Sequence, residues 1–105
     1  MAYGVSKVKI TVLKRTIQQD LIEEHMPDDA EMVQCELFDD DQEFIVEDWH
    51  DVPEGFCDWA WSDIRHEIYA VANGAEFLWN TKSGGAITCC TDGLRPVIFK
   101  VERVD

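Results

Sequence analysis

Residues 53–74 read PEGFCDWAWSDIRHEIYAVANG, and their spacing decides how the rest of the chain must be arranged. The apolar positions 57, 60, 61, 64, 68, 71 and 72 recur three and four apart, the period of a helix with one buried face. Asn73-Gly74 supplies the left-handed exit with which helices commonly end, and Cys57 or Asp58 stands at the N-cap. One long amphipathic helix has to bury its stripe against something, and a sheet is the usual partner in a short chain. The flanking segments supply that sheet.

Upstream, VSKVKITVLKR (5–15) alternates Val8, Ile10 and Val12 with Lys7, Lys9 and Thr11, the period of a strand with one buried face. TIQQ (16–19) places Thr16 three residues before Gln19, the pattern of a capping box, and Ile17 and Leu21 give a short helix that Pro27 stops. Residues 28–43 are polar and acidic around Val33, Cys35, Leu37 and Phe38, which reads as a surface loop dipping into the core; Phe44 and Val46 then mark a second strand. Downstream, AITCC (86–90) and PVIFKVERV (96–104) flank TDGLR, whose Asp92-Gly93 pair suits a hairpin turn with Gly93 at positive φ. The expectation is a single α+β domain over residues 1–105. A small, mainly antiparallel sheet would be covered on one face by one long and one short helix and would end in a C-terminal hairpin.

At 105 residues one core is usual, and 46% hydrophobic content is that of a folded chain. The net charge of −13 is concentrated, with seventeen Asp or Glu and no Lys or Arg between Thr16 and Ile64. Nucleic acid and anionic membrane are bound by Lys and Arg that release counterions, so this surface excludes both as partners. The acidic stretch DDDQEFIVEDWH (39–50) is not a calcium loop: the sixth and twelfth places, which need glycine and a bidentate carboxylate, hold Phe44 and His50. MAYGVSKVKI has no signal-peptide pattern and no run is long enough to cross a bilayer, so the expected location is cytoplasmic, with reduced cysteines rather than a disulfide framework.

Four stretches taken together, VKITVLKRT, CELFDDDQEFIV, PEGFCDWAW and CCTDGLRPVIFKVER, resemble an uncharacterised family of small microbial proteins of about ninety residues. The resemblance covers most of residues 5–103 and implies no activity. It does imply that Cys35, Cys57 and the Cys89-Cys90 pair belong to the family pattern.

Chemistry is best sought in Cys35, Cys57 and one of Cys89 or Cys90, because neighbours on a strand point to opposite faces and both cannot turn toward Cys57. Zinc or iron would accept such thiolates with a fourth ligand such as His50, although the paired Cys-x-x-Cys knuckles of structural sites are missing. Cys57 at a helix N-terminus could instead be a reactive thiolate, and all four thiols could be small core hydrophobes. His66 lies half a turn away from Cys57 on the helix and cannot partner it; an Asp63–His66 surface contact is the reading there. Trp59 falls off the apolar helix face and so lines a pocket or meets a partner, and Arg95 could receive a carboxylate ligand.

Three function classes follow: a thiolate-lined module binding a metal ion or small molecule, an acidic Trp-rich interaction module, and a small cysteine-dependent enzyme. The first is preferred. Trp59 and a sheet covered on one side only further lead us to expect a homo-oligomer.

Overall fold

The computed structural model describes residues 5–82 and 84–104. Four strands, β1 (Lys7–Arg15), β2 (Glu43–Val46), β3 (Gly85–Cys89) and β4 (Val97–Val104), form one antiparallel sheet in the order β2-β1-β4-β3. Two helices complete the α+β fold, α1 (Gln19–His25) after β1 and α2 (Asp58–Ala72) between β2 and β3.

Alternation puts Val8, Ile10 and Val12 of β1 and Val97, Phe99 and Val101 of β4 on one face, where all six are fully buried. Register holds them together, with Ile10 opposite Val101 and Val12 opposite Phe99. Beyond Val12 the register slips, so Lys14 faces Ile98 and Leu13 is left as the extra residue of a bulge on the solvent side. Against this face α2 lays Ala60, Trp61, Ile64, Ile68, Val71 and Ala72, the stripe read from the spacing. Phe38, Phe44 and Phe56 pack beside the start of α2, edge-on to one another at 4.9–5.9 Å between ring centroids, with Phe56 also against Trp61 and Phe99 beneath. The loop before β2 therefore dips into the core through Phe38. The opposite face carries Lys9, Ile45, Lys100, Glu102 and Ile87 by register, laced by Lys9–Glu43, Lys9–Glu102 and Lys100–Glu102 ion pairs.

Two local expectations give way to competing hydrogen bonds. Thr16 does not cap α1, whose N-cap is Gln18 without a side-chain bond; its amide and hydroxyl both donate to the Pro96 carbonyl, prolonging the β1–β4 ladder. Gly93 is not at positive φ, because the hairpin closes through a wider loop in which the Asp92 carboxylate takes the Leu94 and Arg95 amides. The left-handed exit of α2 does form: Gly74 has φ +96°, and the amides of Gly74 and Ala75 donate back to Val71 and Ala70.

The two glycines should therefore respond oppositely. A Cβ on either meets nothing within 4 Å, so only backbone conformation separates them. Gly74→Ala is expected to lower stability by about 1 kcal/mol, and Gly93→Ala to stay within about 0.5 kcal/mol of the parent. Urea midpoints for the pair would show it; equal shifts would contradict the turn geometry.

Candidate thiol-lined pocket

A pocket of about 280 Å³ opens where three elements meet: the loop before β2, the start of α2 and the β3–β4 loop. Cys35, Leu37 and Phe38 form one wall, Cys57, Trp59 and Ala60 a second, and Cys90, Asp92, Arg95 and Val97 the third. Phe38, Ala60, Cys90 and Val97 are buried and make an apolar floor, whereas Leu37 and Trp59 stand exposed at the mouth.

Each wall is held by named bonds. Arg15, at the end of β1, donates Nη1 to the Cys35 carbonyl and Nε to Asp40, and Gln34 returns a bond to the Arg15 carbonyl, so the Cys35 loop is pinned to the sheet. The hydrogen bond from Arg15 holds the Asp40 carboxyl below its ordinary value. Cys57 is the N-cap of α2 with extended backbone, and its carbonyl accepts the Trp61 amide. Trp59, 68% exposed, is nonetheless fixed: its Nε1 donates to Thr91 Oγ1 at 2.8 Å, and the Thr91 hydroxyl and amide both donate to Asp63. That relay ties the β3–β4 loop to α2. Cys90 continues β3 by donating its amide to Val97, and its Sγ accepts the Val97 amide at 3.4 Å.

Arg95 sits at the rim. Its Nε donates to Asp92 at 3.2 Å, and among the described residues Nη1 and Nη2 have no hydrogen-bond partner. Partial burial pushes the Asp92 carboxyl up, but the Arg95 and Leu94 amides and the Arg95 guanidinium outweigh it, and the group lies below its ordinary value. A lowered folded value means that the stabilisation is complete above the unfolded-state pKa, near 3.9, and is lost as pH falls through the lower folded one. Asp92→Asn keeps an oxygen for both amides and should flatten the loss of stability below roughly pH 4. An acid limb identical to the parent's would break this link.

Of the residues nominated from sequence, Cys35, Cys57, Cys90, Trp59 and Arg95 meet in this one pocket. Cys89 and His50 do not join them. Cys89 belongs to the opposite, exposed phase of β3, and burial, then Cys90, Asp63 and Glu67, push its thiol up. His50 stacks on Trp49 and contacts Asp48, whose carboxyl is lowered first by the His50 amide and then by its ring. His66 contacts Glu67 rather than Asp63. Among the described residues no three Cys, His, Asp or Glu side chains are gathered as ligands of one metal ion. Sequence reading paired Asp63 with His66 and passed over Thr91 and Arg15; these three position the walls through bonds between distant residues and leave no local signature.

No protein-family model, no curated protein and no solved structure matches the chain. No helix among the described residues is long and apolar enough to cross a membrane.

Proposed function

We propose that the chain is a small-molecule-binding module whose site is the thiol-lined pocket. One observation carries the reading: Cys35, Cys57, Cys90, Trp59 and Arg95, all candidates from sequence, line a single cavity with a buried apolar floor and with Asp92 and Arg95 in its wall. Pockets that bury a ligand combine apolar walls with a few placed polar groups, and those for drug-sized molecules span about 300–1,000 Å³. At about 280 Å³ this one suits a smaller guest. A thiolate metal site would require ligands converging within about 2.3 Å of one ion. The arrangement of the described side chains favours an organic ligand over that alternative.

The test is a neutral apolar fluorophore, N-phenyl-1-naphthylamine, titrated into native protein. Saturable enhancement is expected. Trp59→Ala or Leu37→Asp, both at exposed rim positions, should weaken it several-fold, and occupancy should slow iodoacetamide labelling of Cys35 and Cys57. Binding that ignores both rim variants and leaves labelling unchanged would refute the pocket. Zinc and iron analysis of anaerobically purified protein distinguishes the metal alternative, which requires stoichiometric metal.

A second reading, assembly of copies through an apolar surface, is favoured by Trp79 and Leu78, 80% and 69% exposed before β3. Light scattering over a wide concentration range checks it; a constant mass of 12.1 kDa would count against it.

A further inference from the structure

We infer that the ligand of the thiol-lined pocket is a small carboxylate, seated with its apolar body on the floor and its carboxylate at the rim on Arg95. The inference rests on the pocket reading above. Phe38, Ala60, Cys90 and Val97 are buried at the floor, and Arg95, among the described residues the one cationic side chain lining the cavity, stands partly exposed at the mouth beside Asp92, Leu37 and Trp59. An amphipathic guest enters such a site in one orientation, because reversing it would strand its charge among apolar groups.

Arg95 is prepared for this role. Asp92 holds it by Nε, and the same carboxylate anchors the Arg95 and Leu94 amides, so the guanidinium is fixed to its own backbone turn. The bond at Nε leaves Nη1 and Nη2 without protein partners among the described residues, and those two nitrogens form the planar fork that receives the two oxygens of a carboxylate. Trp59 flanks the entrance with its indole nitrogen already committed to Thr91, so it offers the guest a ring face and not a donor. Among the described residues lining the pocket, Arg95 is therefore the charged donor for the head group.

Competition against bound N-phenyl-1-naphthylamine tests this with two guests of one shape, 1-naphthoate and 1-naphthamide. The assay is run at pH 7, where the acid is ionised, and in 0.15 M salt, where a Debye length of about 8 Å screens the acidic surface. On native protein, 1-naphthoate should displace the fluorophore at about tenfold lower concentration than 1-naphthamide, the worth of a charge-assisted bond. In Arg95→Leu the ratio of the two potencies should fall to about one, each guest being measured against the variant's own fluorophore affinity. Arg95→Lys should recover only part of the preference, since an ammonium lacks the fork. Equal potency of the two guests on native protein, or a preference that persists in Arg95→Leu, overturns the carboxylate assignment while leaving the pocket standing. Failure of the fluorophore to bind native protein overturns both.

Discussion

Phe99→Ala should cost about 3–5 kcal/mol, the upper range for truncating a core side chain. Phe99 is fully buried on β4, next to the centre of the sheet, and its ring lies 5.2 Å from Phe38 and 5.7 Å from Phe56. Alanine leaves a void that the sheet cannot close, because β4 is hydrogen-bonded on both sides, to β1 and to β3. Domains of this size are stable by about 5–15 kcal/mol in total, so the variant sits near the edge of folding. Guanidinium or urea denaturation measures it, with Phe99→Leu expected to lose clearly less. The pocket should feel the loss too, since Phe38 forms part of its floor and rests on Phe99. A Phe99→Ala protein within 1 kcal/mol of the parent would show that the aromatic cluster is not the keystone described above.

The second large effect concerns a buried charge. Glu67 is only 7% exposed on the sheet-facing side of α2, and its Oε1 accepts the Thr88 hydroxyl at 2.5 Å. Oε2 abuts the exposed His66 ring without a hydrogen bond in the described structure. Thr88→Val removes the one hydrogen bond that this carboxylate accepts among the described residues while keeping the side-chain shape, so it should cost about 1–3 kcal/mol, the penalty of stranding a buried polar group. Glu67→Leu removes the charge instead, and in that background Thr88→Val should be nearly silent. The double-mutant cycle is the decisive measurement. Additive losses would mean that the Thr88 hydroxyl does not serve Glu67.

What the chain announces in its sequence is what repeats locally. Val8, Ile10 and Val12, the matching Val97, Phe99 and Val101, and the 3.6-residue stripe from Ala60 to Ala72 each state their own element, because one buried face imposes one period. Asp92-Gly93 and Thr16 mislead for the converse reason. Each carries a strong local signal, but Asp92 found two amides in its own loop and Thr16 found the Pro96 carbonyl eighty residues away. For the pocket, residue chemistry nominated Cys35, Cys57, Trp59 and Arg95, and strand alternation limited the choice to one of Cys89 and Cys90. Which one depended on the phase of β3, set by Val97 facing Cys90 across the hairpin. The Trp59–Thr91–Asp63 relay was illegible, since residues about thirty apart share no pattern until the sheet brings them together.

The sheet order has a temporal side. β1 is the first strand and β4 the last, yet they pair side by side at its centre, Lys7 opposite Val104 and Arg15 opposite Val97. Until β4 exists, β1 can pair only with the four residues of β2, and α2 has no second strand at the sheet's centre on which to rest. A ribosome must therefore release nearly the whole domain before any of it can cross the folding barrier. Closing a loop of about eighty to a hundred residues before the main contacts form gives a high contact order and places folding among the slower two-state domains, in milliseconds to seconds. Through that interval the apolar stripe of α2 is unshielded, and the acidic stretch from Thr16 to Ile64, synthesised before β4, keeps neighbouring nascent chains apart by charge.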